Sequence, residues 1–208
     1  MSQTIRSFIA FELPAAVLSL LDNLQQELKS LQLKVRWVRP ENIHLTLKFL
    51  GDIDPGDIAN VGEAMAAAVG EWAPLKLSVG GIGFFPGVKR PRVIWVGLGG
   101  EIQALQNLQR NLDQRLADLG FAKEKKSFKG HLTLGRFKGA SNRETIRQIM
   151  SDYSDAGREE FTANRIILFK SDLKPSGAIY TRLKQVELRE INPPELYPPQ
   201  DGGQVFNI

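Results

Sequence analysis

The chain has no cysteine and only two histidines. Without thiols there are no disulfides, no thiolate metal ligands and no cysteine nucleophile. No stretch approaches the roughly 20 apolar residues that a membrane-spanning helix needs. The opening Met-Ser-Gln-Thr-Ile-Arg-Ser-Phe-Ile-Ala-Phe breaks its apolar run too early for a secretory leader, so a cytoplasmic location is expected. Low-complexity tracts and interdomain linkers are also missing. Gly80-Gly81-Ile82-Gly83 lacks the Lys-Ser/Thr of a phosphate-binding loop and the spacing of a dinucleotide turn, and reads as a bend or bulge. The acidic run Asp52, Asp54 and Asp57 reads as a loop and helix start rather than a cation site. What remains is an ordinary globular composition, 42% hydrophobic and 24% charged over 208 residues, long enough to bury a real core. The formal charge of +4 mildly favours anionic partners.

Both histidines open the same tetrapeptide. His44-Leu45-Thr46-Leu47 recurs as His131-Leu132-Thr133-Leu134, 87 residues later (131 − 44). A chance match of Leu-Thr-Leu behind the second histidine is on the order of one in a thousand or less at ordinary residue usage. The flanks repeat as well. Residues 4–12 read as a strand, and Arg92-Val93-Ile94-Trp95-Val96-Gly97-Leu98 resembles Arg6–Glu12. Apolar residues at spacings of three and four predict amphipathic helices from Val17 to Leu31, behind Pro14, and from Glu101 to Leu119, ahead of Gly120. Each half thus predicts strand, helix, His-x-Thr strand, helix, strand, with further strands at Lys34–Val38, Leu75–Phe84, Phe161–Lys170 and Ile179–Leu188. This is a duplication of whole lobes, not a short-period repeat. Residues 1–191 are expected to form one two-lobed catalytic domain with interleaved lobes. Residues 192–208, with four prolines and two adjacent glycines, are expected to be an irregular tail.

In a strand, residues i and i+2 face the same side. His44 and Thr46 therefore share one face while Leu45 and Leu47 pack behind it, and His131 and Thr133 repeat the arrangement. A pseudo-twofold pairing of the lobes brings two imidazoles and two hydroxyls across a groove. Imidazole titrates near neutrality and suits proton removal as well as proton delivery. Hydroxyls donate to the oxygens of a phosphate where charge develops. A lone strand histidine is more often structural than catalytic, but the recurrence of both in one motif reverses those odds. Two histidines without clustered carboxylates or cysteines make a poor metal site, so no metal is expected. Lys129 shares the parity of His131 and Thr133 and is a substrate-binding candidate. Arg136 is off that parity and reaches the site only if its strand twists or bulges. Phe84 and Phe85, at the end of a Gly-rich strand, are candidates to stack a base, with core packing expected for at least one of them. The basic residues Lys123, Lys125 and Lys126 suit either phosphate steering or a solvated loop.

These residues resemble the two-histidine phosphoesterase superfamily. The flanks Arg36-Trp37-Val38-Arg39-Pro40-Glu41-Asn42-Ile43, Lys48-Phe49-Leu50-Gly51, Pro91–Gly97 and Gly135-Arg136 are similar to its bacterial and archaeal RNA 2′,3′-cyclic phosphodiesterase (2′-5′ RNA ligase) branch, over roughly residues 4–188. The resemblance implies an α+β bilobal fold with antiparallel sheets lining a central groove and helices packed outside. It implies hydrolysis of a terminal 2′,3′-cyclic phosphate to a 2′-phosphate, with His44 as proton donor and His131 as proton acceptor. Reversible 2′-5′ ligation without ATP is the companion reaction. No cofactor is implied. The implied partner is RNA with a cyclic phosphate end, tRNA fragments among the possibilities, or nucleotides, and a monomer is expected. Two other readings stay open at this point: a phosphodiesterase for small cyclic nucleotides, and a nucleotide- or RNA-binding module without turnover.

Overall fold

A computed structural model describes residues 4–70, 72–154, 158–175 and 177–189. The Pro/Gly-rich stretch at 192–208 lies outside the described residues. Nine strands form one sheet: β1 (Ile5–Phe11), β2 (Val35–Trp37), β3 (Leu45–Ile53), β4 (Leu75–Phe85), β5 (Val93–Gly100), β6 (Leu132–Phe137), β7 (Glu159–Ala163), β8 (Arg165–Lys174) and β9 (Gly177–Glu187). The helices are α1 (Ala15–Ser30), α2 (Ile58–Val69), α3 (Ile102–Asp118) and α4 (Arg143–Asp152). The α+β architecture expected from the sequence is the one observed. One expected strand divides: Phe161–Lys170 breaks at Asn164 into β7 and β8, which pair with different neighbours.

The strand order is β7-β4-β5-β6-β3-β1-β8-β9, with β2 pairing the end of β6 at Gly135–Phe137, beyond its contact with β3, and every pairing is antiparallel. The order is a palindrome about its middle, where β6 meets β3. The units are also interleaved: a late strand of each repeat pairs with the first strand of the other, β4 with β5 and β8 with β1. At the centre, β3 and β6 pair through one residue couple, Leu45 opposite Leu132. Ladder hydrogen bonds contribute little to so short a seam. Side chains do the holding: Leu45, Leu132 and Leu134 are fully buried and Leu47 is 3% exposed. Each such burial is worth about 1.5–3 kcal/mol.

The strands alternate between two apolar clusters, because successive side chains point to opposite faces. Ile9, Phe11, Ile166 and Leu168 belong to the main core together with the buried faces of the helices. Phe8, Ala10, Ile167 and Phe169 form a small second cluster with Tyr180 on the opposite face. α1 buries Val17, Leu21, Leu24 and Leu28, and α3 buries Leu105, Leu108, Leu112 and Leu116. Both predicted helices run one residue too far at the C-terminal end, since Leu31 and Leu119 are exposed cap residues. No helix among the described residues is long and apolar enough to cross a membrane.

Lys48 shows how the two halves diverge. It occupies the place that Gly135 holds in the second repeat (48 + 87), and its side chain is only 2% exposed. The ammonium donates to Asp113 Oδ1 at 2.6 Å and to the Ala122 carbonyl at 2.5 Å, tying β3 to α3 and the loop beyond it. At Gly135 a side chain has no room, because a Cβ there would lie 2.4 Å from Val35 Cγ1 of β2. Removing one partner of a buried ion pair strands the other. Lys48→Met is therefore expected to lower the unfolding free energy by about 3 kcal/mol, read by urea denaturation. Lys48→Met combined with Asp113→Leu should recover most of that loss; a double variant no more stable than the single one contradicts the assignment.

Candidate active site

The seam places the two motifs side by side. With Leu45 opposite Leu132 in an antiparallel register, His44 lies across from Thr133, and His131 across from Thr46. The burial patterns of residues 44–50 and 131–137 are identical: half-buried, buried, half-buried, buried, buried, exposed, half-buried. The two consecutive buried residues mark a bulge in each strand. In the first motif, Thr46 pairs with Ala10 and Lys48 with Ile9, so Leu47 is the extra residue. In the second, Thr133 pairs with Trp95 and Gly135 with Ile94, so Leu134 is extra. A bulge resets the alternation. The motif face therefore reads His44, Thr46, Phe49 in one half and His131, Thr133, Arg136 in the other. Arg136 reaches the site by the bulge that the parity argument required.

Each imidazole is held in the same way. His44 Nδ1 lies 2.8 Å from the Asn42 carbonyl oxygen, and His131 Nδ1 lies 2.7 Å from that of Lys129. A carbonyl only accepts, so Nδ1 carries the hydrogen and donates in both rings. Nε2 is then the atom that takes up or releases a proton. The surroundings differ. His44 stacks on Phe8 with centroids 4.6 Å apart and meets the edge of Tyr180 at 5.3 Å. His131 stands edge-on to Phe85 at 4.9 Å and to Trp95 at 6.2 Å. Burial against this aromatic shelf lowers the His44 pKa to about 4. The hydrogen bond to Asn42 opposes the shift, and positive charge on nearby His131 adds to it. His44 is neutral at neutral pH in the unliganded site.

A cavity of about 680 Å³ opens beside the seam. His44, Thr46 and Thr133 line it, with Phe8 and Phe49 as apolar wall. Four arginines, Arg6, Arg36, Arg39 and Arg136, also line it, and among the described residues no carboxylate does. His131 is not among the lining residues; its place is set by Thr133, two residues on along the same face. His44 also borders a second cavity, of about 870 Å³. There the charge is mixed, and Arg182 is already held by Glu12 through two hydrogen bonds of 2.8 and 2.9 Å. An anion belongs in the first cavity. No group of three or more His, Cys, Asp or Glu that could hold a metal ion occurs among the described residues.

Comparison with known proteins agrees with this geometry. A family model described as LigT-like phosphoesterase matches twice in succession, over residues 11–95 and 96–180. The chain belongs to the LigT-like phosphoesterase family. It is 31% identical over 184 residues to the RNA 2′,3′-cyclic phosphodiesterase of Methanothermobacter thermautotrophicus, covering 88% of this chain and 99% of that one. It is 32% identical over 181 residues to the protein of the same name from Methanocaldococcus jannaschii, covering 87% and 99%. Among solved structures, a Thermus thermophilus protein superposes with a TM-score of 0.74 at 26% identity, covering 89% of this chain and 98% of that one. Apo LigT of E. coli has the same fold, with a TM-score of 0.74 at 21% identity and coverage of 91% and 100%.

Within this LigT-like fold two sequence-derived candidates change. Phe84 is 5% exposed and packs in the core against Phe137, with centroids 6.0 Å apart, so it is not a base platform. Its neighbour Phe85, on the other side of β4, is the one that meets His131. Lys129 has an exposed side chain and does not line the cavity; its contribution is the backbone carbonyl that orients His131. Sequence reasoning did not single out Arg6, Arg36, Arg39 or Phe49 as site residues. Phe49 stands off the His44 parity until the bulge is known, and Arg6 lies on a neighbouring strand. Arg36 and Arg39 precede the first motif closely enough to have served as a signal. Because the chain has only two histidines, each titrates unambiguously once the other is replaced. In His131→Gln, which removes the smaller contribution of His131 and leaves the burial, the His44 ring is still expected to titrate well below an unperturbed imidazole near 6.5 by NMR; an ordinary midpoint contradicts the burial argument.

Proposed function

We propose that the chain hydrolyses a terminal 2′,3′-cyclic phosphate of RNA to a 2′-phosphomonoester by two-histidine acid–base catalysis. The observation that carries this reading is the matched pair of imidazoles, each with Nδ1 tied to a carbonyl and Nε2 left for proton transfer, beside a cavity lined by four guanidinium groups. Relatives at about 30% identity that carry the name RNA 2′,3′-cyclic phosphodiesterase support the choice of substrate.

In this scheme the oxygen of water attacks phosphorus while the bond from phosphorus to the 3′-oxygen breaks. His131 Nε2 takes the proton of the attacking water, and His44 Nε2 delivers one to the departing 3′-oxygen. Thr46 and Thr133 donate to the non-bridging oxygens, and Arg136 adds a charge-assisted contact. With an RNA 5′-hydroxyl in place of water, the same displacement joins two ends through a 2′-5′ bond. The strain of the cyclic ester supplies the activation, so ATP is not consumed.

Burial imposes a condition on His44. Its ring is neutral before substrate arrives, so it acts as donor only if the bound phosphate restores the imidazolium. An anion against Nε2 does this by favouring the charged form. Binding of sulfate, an anion that does not itself titrate near pH 7, is therefore expected to take up protons, measured by calorimetry in buffers of different ionisation enthalpy. Absence of uptake would exchange the two roles, with His44 as the acceptor.

The reaction itself is tested with an RNA oligonucleotide ending in a 2′,3′-cyclic phosphate, incubated in EDTA. The expected product is a 2′-phosphate end, with the rate falling at least about 100-fold in both His44→Ala and His131→Ala. A 3′-phosphate product would reverse the leaving group. Turnover of mononucleotide cyclic phosphates alone would move the substrate class to small nucleotides, and binding without turnover would leave a recognition module.

A further inference from the structure

The bulge that brings Arg136 and Phe49 onto the motif face is held from the same direction in both halves. Gln25 of α1 donates its Nε2 to the Leu134 carbonyl at 2.9 Å and to the Val38 carbonyl at 2.8 Å. Gln109 of α3 donates its Nε2 to the Leu47 carbonyl at 3.3 Å. Leu134 and Leu47 are the extra residues of the two bulges. The bonds run crosswise: the helix of each repeat holds the motif strand of the other.

Two facts separate this from ordinary satisfaction of a buried carbonyl. First, the glutamine is kept in both repeats. Residues 21–28 and 105–112 share the pattern Leu-x-Asn-Leu-Gln-x-x-Leu, so Gln25 and Gln109 hold the same place, each the one polar residue among the buried residues of its helix. The same position reaches the bulge carbonyl of the opposite motif strand in each half. Second, Gln25 is fully buried, and its Oε1 has no hydrogen-bond partner among the described residues. An unpartnered buried oxygen is destabilising. Keeping this amide costs stability, which is the mark of a group retained for something else. Gln25 also bonds the Val38 carbonyl, at the start of the segment that carries Arg39 and the Asn42 carbonyl holding His44.

We propose that Gln25 and Gln109 are positioning residues, each locking the bulge of the opposite motif strand so that Arg136 and Phe49 stand beside the histidines. The inference rests on the phosphodiesterase reading for its kinetic readout, but its geometry stands separately. The test is a double-mutant cycle with Gln25→Met and Arg136→Ala. Arg136→Ala is expected to raise KM for the cyclic-phosphate oligonucleotide about 10- to 100-fold. Gln25→Met should raise KM in the same direction with kcat little changed. The double variant should be no worse than Arg136→Ala alone, because the arginine has already lost its place. Multiplying effects would overturn the proposal. Leu24→Ala, in the same helix, is the control: it lowers the thermal midpoint and should leave KM unchanged, and a KM shift as large as that of Gln25→Met would mean that stability alone explains the effect.

If the wild type turns over no cyclic phosphate, the functional reading fails and the same cycle is read as Kd for an RNA trinucleotide ending in a 2′-phosphate. The arm independent of any ligand is the crystal structure of Gln25→Met. Loss of the bulge at Leu134, with Arg136 withdrawn from the cavity, is the expected result. A retained bulge with Arg136 still in place overturns the proposal whatever the protein binds.

Discussion

One backbone pairing organises the molecule. Leu45 lies opposite Leu132, so two copies of one tetrapeptide meet head to tail at the centre of the sheet. Antiparallel geometry does the rest: each imidazole is set across from the hydroxyl of the other repeat, and all four polar groups share one face. The leucines between them turn to the opposite face and seal it. Because the ladder at this seam is so short, the alignment depends on what surrounds it. The strands that cross between repeats on both flanks and the apolar contact beneath supply that support. Interleaving leaves neither half with a sheet built of its own strands alone.

A symmetric frame does not give symmetric chemistry. The two imidazoles carry the same hydrogen bond to the carbonyl two residues back, which sets the same tautomer and exposes the same nitrogen. Their neighbours then differentiate them. Phe8 beneath His44 and Tyr180 at its side remove water from one ring and hold it neutral. The walls of His131 are Phe85 and Trp95, met edge-on. The bulge-shifted positions diverge in the same spirit: one holds an exposed phenylalanine and the other an arginine. A duplicated scaffold has in this way acquired a direction along which an asymmetric substrate can lie.

Much of this is legible in the chain. The repeated tetrapeptide, with the only histidines at its head, identifies the motif strands, and helix periodicity locates α1 and α3 to within two residues. Other features are hidden for identifiable reasons. Lys48 reads as a polar break in its strand, yet it is buried on a carboxylate and a carbonyl. That conceals the run of two buried residues by which the bulge is recognised. Phe84 and Phe85 are adjacent aromatics of one strand, and only the sheet decides which faces the core. Arg6 reaches the cavity from a strand whose own pattern says nothing of catalysis.

The sequence by itself determined the duplication, the α+β class, the two strands that carry imidazole and hydroxyl, and the family resemblance. These depend on residue identity and local periodicity, which a linear pattern preserves. Only the tertiary structure decided which groups join the motifs: the bulges that rotate Phe49 and Arg136 into the site, the glutamines that reach across from α1 and α3, the arginines that gather in one cavity, and the aromatic shelf that keeps His44 neutral. Each is a contact between residues distant in sequence or a break in strand alternation. Such features arise from how the strands pair and what packs on them, so no local pattern encodes them.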